Sequence, residues 1–273
     1  SISVRNFRNL DAQTVAFFGP ATVVIGRNGQ GKTSLIEAIY LLAQAKSFRA
    51  PRLADLIAWG GEDTVSVEGI LTTASGEKTV RVEFGGGKRT VFLNGNLVTS
   101  AKGFYGEVIA VEFTPDDLQL VKGGPSGRRL FLDRILSMFD RTSVEMLVHY
   151  NRALKHRNQL LSARRIRKRN LNPGSSEDDF SAELDPWNQL LVRYGSTLAL
   201  RRALLAQELS ADFMENYGSL ANSSAIAGAR AEEVHLQYCS DYLLEDAAAE
   251  PTLRSPEELL ARYDSTQDRD LRL

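Results

Sequence analysis

The stretch Gly26-Arg27-Asn28-Gly29-Gln30-Gly31-Lys32-Thr33 governs how the chain is read. A glycine, four residues, then Gly-Lys-Thr is the P-loop pattern in full. Its glycines let backbone N–H groups turn inward around phosphate oxygens where a Cβ would collide. The helix that must follow adds the positive end of its dipole to the same anion site. Lys32 then reaches the β- and γ-phosphates, and the Thr33 hydroxyl takes a place on Mg²⁺. The flanks agree with the pattern. Apolar Val23-Val24-Ile25 leads in as a strand, and Leu35, Ile36, Ile39, Tyr40, Leu42 and Ala43 recur at helical spacing beyond Lys32. The expected ligand is Mg-ATP.

Working outward, residues 3–7, 14–17 and 22–25 are short apolar or β-branched runs, expected as strands. Residues 64–72, 78–84 and 89–93 follow, parted by Ala74-Ser75-Gly76 and Gly85-Gly86-Gly87 and closed by an Asn94-Gly95 turn. Such a series predicts an antiparallel meander. Residues 107–113, with Val108-Ile109-Ala110-Val111, read as a buried strand that stops at Thr114-Pro115. Beyond about residue 126 the pattern is helical. Leu132, Ile135, Leu136 and Phe139 mark one face, and Leu147, Tyr150, Leu154 and Leu161 another. The polar stretch Asn172-Pro173-Gly174-Ser175-Ser176 separates these from a second long helix expected from about Pro186. Two long helices joined by a polar loop predict an antiparallel pair projecting as an arm. Residues 234–239 suit a returning strand, and residues 256–263 a short helix capped by Ser255. The expected division is 1–125 and 126–273.

The 273 residues, 43% hydrophobic and 25% charged, suit a globular chain with a substantial core. No apolar run reaches the roughly eighteen residues needed to cross a bilayer, and residues 1–5 do not open a signal peptide. Cys239 is the single cysteine, so no internal disulfide forms and a cytoplasmic location is expected. His149, His156 and His235 are scattered, which disfavours a metal site built from protein ligands. A net charge of -1 excludes a uniformly basic nucleic-acid binder, although not a local patch.

Hydrolysis asks for more than binding. A P-loop ATPase needs a second apolar strand ending in an acid that holds Mg²⁺ and positions water. Val108-Ile109-Ala110-Val111-Glu112 lacks an Asp-Glu ending, and Leu130-Phe131-Leu132-Asp133 sits in a helical pattern. Neither supplies a convincing catalytic acid.

Val4-Arg5-Asn6-Phe7-Arg8-Asn9-Leu10, followed by the P-loop and Ser34-Leu35-Ile36-Glu37-Ala38-Ile39, resembles the SMC-like, ABC-type ATPases of DNA repair. More selective stretches narrow the resemblance to the bacterial recombination mediators within that family. They are Phe113-Thr114-Pro115-Asp116-Asp117-Leu118, Leu120-Val121-Lys122-Gly123, Arg128-Arg129-Leu130-Phe131-Leu132-Asp133, Tyr150-Asn151-Arg152-Ala153-Leu154-Lys155 and Arg157-Asn158-Gln159-Leu160-Leu161. The likeness is strong to about residue 161 and looser beyond. It implies an α/β fold: a P-loop ABC-type ATPase lobe with an antiparallel β meander, plus a helical arm domain. It further implies ATP and Mg as cofactors, duplex or gapped DNA as target, and an ATP-dependent homodimer. RecR and RecO are the implied partners in loading RecA. Nucleotide-binding residues implied are Gly26, Arg27, Asn28, Gly29, Gln30, Gly31, Lys32, Thr33 and Ser34, with Arg8 and Asn9 of Phe7-Arg8-Asn9 on the adenine side. The plainer alternative makes Phe7 a core residue and Arg8 a surface charge. The signature loop, Walker B strand and switch histidine of such ATPases are not found in the chain. It therefore reads as an N-terminal portion, expected to bind ATP weakly and to hydrolyse it poorly alone.

Arg152, Lys155, Arg157, Arg164, Arg165, Arg167, Lys168 and Arg169 fall in one stretch with no acid among them. Such a cluster can hold DNA phosphates without reading bases. The absence of aromatics there disfavours base stacking. The competing reading is a solvated helical face balanced by Glu177, Asp178 and Asp179. From another class, a P-loop small-molecule or nucleotide kinase is the rival function; it requires a substrate pocket and an arginine-bearing lid, which a long helical arm serves poorly.

Overall fold

The computed structural model describes residues 1–50, 52–58, 60–74, 76–170, 177–223, 236–244 and 250–270. The chain divides into two compact units, Ser1–Asp117 and Leu118–Leu273.

The first unit is built on a six-stranded antiparallel sheet in the order β2-β1-β3-β4-β5-β6. Its strands are β1 (Ile2–Phe7), β2 (Leu10–Val15), β3 (Thr64–Thr73), β4 (Gly76–Gly85), β5 (Lys88–Leu93) and β6 (Asn96–Leu97). The expected meander is β3 to β5, with Val67 facing Val82 and Val82 facing Val91 across the ladders. Asn94 and Gly95 both have positive φ, 49° and 80°, which suits the two-residue turn into β6. Alternate residues of β3 and β4 point inward: Val65, Val67, Val80, Val82 and Phe84 are buried. Helix α1 (Lys32–Gln44) lies over that face and buries Ala38, Leu41 and Leu42. Gly69 lets the helix come close, because a Cβ there would stand 2.4 Å from Leu42 Cδ1. The helix ends where Ala45 turns left-handed, at φ 47°, with the Arg89 guanidinium donating to the Ala45 carbonyl at 2.7 Å.

Three expected strands differ. Of the run expected at 14–17, Thr14 and Val15 fall in β2, which begins at Leu10 and pairs with β1 through a hairpin turned at Arg8-Asn9, while residues 16 and 17 lie beyond it. Residues 22–25 form no strand, so the P-loop is not entered from one; Val23 and Ile25 are exposed. Residues 107–113 form none either. Val108 is buried, whereas Val111 and Phe113 are about 90% exposed. A strand exists only where a neighbouring backbone accepts its ladder. Among the described residues no strand pairs with either run, so apolar content alone does not make them strands.

The second unit is helical: α2 (Gln119–Lys122), α3 (Pro125–Phe139), α4 (Arg141–Asn170), α5 (Glu177–Ser223) and α6 (Pro256–Asp270). Helices α4 and α5 pair antiparallel, since Ser143 meets Arg201, His149 stacks on Tyr194, and His156 stacks on Trp187. Near the far end Leu161, Phe180 and Leu184 form a small apolar cluster. Helix α5 begins at Glu177, earlier than expected, and keeps Pro186 inside it. The connection expected at 172–176 lies outside the described residues. Of the returning strand expected at 234–239, residues 234 and 235 lie outside them as well. Residues 236–240 are irregular, and among the described residues nearby a bridge pairs Leu243 with Leu253. Helix α6 starts as expected, with the Glu258 N–H donating to Ser255 Oγ at 3.2 Å, and runs on to Asp270. None of the described helices is long and apolar enough to cross a membrane.

Candidate nucleotide-binding site

The P-loop is a turn between residue 25 and the first residue of α1. Gly26, Gly29 and Gly31 all have positive φ, at 155°, 82° and 89°, so the glycines sit where other residues would be strained. Gly31 is the N-cap, and the first helical bond runs from Leu35 N–H to its carbonyl at 2.9 Å. The N–H groups of the first turn have no intrahelical acceptor, and no acid occupies that turn. The result is an uncompensated positive helix end, suited to an anion.

Lys32 folds back over this loop. Its ammonium donates to the carbonyls of Gly26 and Arg27, both at 2.8 Å, which places the charge at the mouth of the turn. Gln30 Oε1 accepts the Arg27 N–H at 3.0 Å and braces the loop. Residues 26–30 are exposed, as is Thr33 at the start of α1. Among the described residues no cluster of His, Cys, Asp or Glu could hold a metal ion. A Mg²⁺ fits here only as one held by nucleotide oxygens and water with the Thr33 hydroxyl as protein ligand, the habit of this reluctantly dehydrated ion.

The β1–β2 turn lies against the P-loop. Asn9 Nδ2 donates to the Gly29 carbonyl at 2.7 Å, and Asn9 Oδ1 accepts from Ser34 Oγ at 2.9 Å. Arg8 is left-handed, with φ 57°, and its guanidinium is shared among protein acceptors. Nε and Nη2 bond the two oxygens of Glu37 at 3.1 and 2.8 Å, and Nη1 bonds the Asp55 carbonyl at 2.7 Å. Glu37 is fully buried and also accepts from Ser47 Oγ. Asn6, with φ 55°, donates to the carbonyls of Glu62 and Thr64. Phe7 is buried in the core. Thus Arg8 is neither a plain surface charge nor free of protein partners. Sequence reading singled out the turn and Gln30 but missed Glu37 and Ser47, whose roles depend on segments that meet only in the fold.

The basic cluster divides. Arg152, Lys155 and Arg165 are exposed on α4. Arg164 is half-buried, 4.1 Å over the Phe180 ring. Arg157 is buried: its Nε donates to Asn188 Oδ1 at 2.8 Å, and its guanidinium lies over the Tyr263 ring. It is therefore withdrawn from any surface patch. Arg167, Lys168 and Arg169 continue α4, with side chains outside the described residues. Neither acid weighed for catalysis sits on a strand. Asp133 lies on α3 and is held by Arg202, Nε at 2.7 Å and Nη2 at 2.9 Å. Burial alone would lower the Arg202 guanidinium, but the bonds and charge of Asp133, helped by Tyr238, hold it above its ordinary value.

The family described as RecF/RecN/SMC N terminal domain matches residues 1–102. The chain is 36% identical over 253 residues to the DNA replication and repair protein RecF of Myxococcus xanthus, covering 91% of this chain and 62% of that protein. It is 29% identical over 272 residues to the RecF of a Thermoanaerobacter species, covering 98% and 68%. A solved structure described as the recombination mediator protein RecF-ATP in the RecFOR pathway superposes with a TM-score of 0.81 at 28% identity. That match covers 99% of this chain and 67% of the other. The chain spans about six-tenths of the length of the first curated relatives. With the mixed α/β architecture and the P-loop at the head of α1, these matches make the chain similar to RecF proteins over nearly all of its length.

Proposed function

We propose that the chain is the ATP-binding portion of a recombination mediator that acts on duplex or gapped DNA. The carrying observation is the P-loop geometry: three glycines at positive φ, an acid-free helix start, and Lys32 held over the loop mouth. Lys32, which donates to the Gly26 and Arg27 carbonyls here, would turn its ammonium to a bound triphosphate. The first-turn N–H groups and the exposed loop would hold the phosphates, and the Thr33 hydroxyl would be the protein ligand of Mg²⁺. The ATP named with a solved relative supports this ligand.

The relatives' description as DNA replication and repair proteins supports the wider assignment. Exposed Arg152, Lys155 and Arg165 on α4 offer phosphate contacts without base readout, and the basic run of the sequence continues in Arg167, Lys168 and Arg169. ATP-dependent homodimerisation, partnership with RecR and RecO, and loading of RecA complete the proposal. The described residues bring no catalytic acid to the P-loop, so ATP turnover by this chain alone is expected to be slow. Titration with a fluorescent ATP analogue and Mg²⁺ tests the core of the reading. Lys32→Ala should weaken binding at least about tenfold, the usual scale for removing a charged hydrogen bond to phosphate. Equal affinity in the two proteins rejects the P-loop as the nucleotide site.

A further inference from the structure

Asn9 ties the P-loop to the sheet from both sides of Gly31. Its amide donates to the Gly29 carbonyl in the loop, and its oxygen accepts from Ser34 in the first turn of α1. The closeness is enforced. A Cβ on Gly31 would lie 3.3 Å from Asn9 and 2.5 Å from Leu10, so only glycine admits the hairpin at this distance. Behind Asn9 the turn is held on three lines: Arg8 N–H to the Leu56 carbonyl, the Arg8 guanidinium to buried Glu37, and Asn6 to the carbonyls of Glu62 and Thr64. The Asn9 oxygen and one of its two amide N–H groups are thereby engaged by protein.

We infer that Asn9 is a positioning residue for the phosphate site, acting on nucleotide through the P-loop backbone rather than by touching the base. This rests on the nucleotide reading above. The physical reason is preorganisation. An anion-binding loop gains affinity when its N–H groups already point inward, because ordering them on binding costs free energy. With Gly29 pinned to the hairpin and Ser34 pinned to the same amide, loop and helix start move as one body. A residue that read adenine would discriminate among bases; a residue that shapes the loop treats every triphosphate alike.

The experiment compares wild type, Asn9→Ala, Asn9→Asp, Ser34→Ala and the Asn9→Ala/Ser34→Ala pair, each with Mg²⁺ and ATP, GTP or inorganic tripolyphosphate. Amide hydrogen exchange of residues 26–31 is read on the ligand-free proteins. Asn9→Ala should weaken all three ligands by a common factor of about ten, as expected when two neutral hydrogen bonds are removed. It should also speed exchange in the loop while leaving exchange in β3 and β4 unchanged. Asn9→Asp keeps an acceptor for Ser34 but sets a carboxylate against the Gly29 carbonyl and a negative charge beside the phosphate site, so it should bind all three ligands at least as weakly as Asn9→Ala. The pair should be no worse than Asn9→Ala, because the Ser34 bond has already lost its acceptor. A loss for ATP well beyond that for tripolyphosphate would show Asn9 reading the base and overturn the inference. So would loop exchange equal to wild type in Asn9→Ala and Ser34→Ala. If wild type binds none of the three ligands, the nucleotide reading fails, and the exchange data still decide whether Asn9 holds the loop.

Discussion

Gly31 has φ +89°, and a Cβ built there would stand 2.5 Å from Leu10 Cδ2. Gly31→Ala therefore meets both a backbone penalty and a clash with a buried hairpin residue. A destabilisation of about 1–3 kcal/mol is expected. Calorimetry should show the melting temperature falling by several degrees, with nucleotide affinity falling alongside. An unchanged melting temperature would mean that the hairpin withdraws freely from the loop. A second residue sets a pH dependence. Burial raises the Tyr242 hydroxyl above its ordinary pKa, and Tyr150 and Tyr263 beside it raise it further. Its folded value exceeds its unfolded one, so the contribution is complete below about pH 10. It is lost as pH rises above the unfolded value, at about 1.4 kcal/mol per pH unit for the one proton involved. Tyr242→Phe removes that proton from the balance. Urea midpoints followed from pH 9 to 11 should fall less steeply in the variant. Parallel alkaline limbs would contradict the assignment.

At the scale of the element, the arm depends on a small apolar cluster, which makes its far end easy to test. Leu184 is fully buried on α5 and packs with Leu161 and Phe180. Leu184→Ala should cost about 2–5 kcal/mol in the arm, the range for a deleted core leucine. Hydrogen exchange should rise in the facing turns of α4 and α5 around residues 158–165 and 180–188, but not in β3 or β4. A uniform rise would mean the two units unfold together. The elements also separate what sequence can and cannot tell. The meander was legible because β3, β4 and β5 carry both alternation and turn residues, two signals that agree. Helix α1 was legible from its apolar spacing and the P-loop before it. Residues 22–25 and 107–113 were not, because strand formation needs a partner that apolar content does not name. The early start of α5 was hidden by Pro186, which reads as a helix start although the helix continues through it. Arg157 was read with its basic neighbours because charge is visible in a sequence, whereas the Asn188 that bonds it lies 31 residues away. Asn9 was singled out by resemblance, and its two bonds to the P-loop region appear only once the hairpin is folded against α1.

For the molecule as a whole, a net charge of -1 gives no long-range attraction to DNA, so any affinity must be local. The exposed basic residues of α4 are the natural place for it. Arg152, Lys155 and Arg165 are solvent-facing, while Arg157 is withdrawn by its bond to Asn188. This separation makes a sharp expectation. If the arm holds duplex phosphates, reversing Arg152, Lys155 and Arg165 to glutamate should reduce the slope of log affinity against log salt by about 2–3, near 0.9 for each phosphate left without its cation. Arg157→Gln should act otherwise. It leaves the buried Asn188 side chain without its donor, so it should lower stability while the salt slope stays as in wild type. Filter binding of a short duplex across a salt series, with thermal melts of each variant, reads both quantities. A slope unmoved by the triple reversal would place the DNA surface elsewhere and leave the arm as a solvated helical pair. A slope lowered by Arg157→Gln with stability unchanged would put that guanidinium on DNA, against its burial.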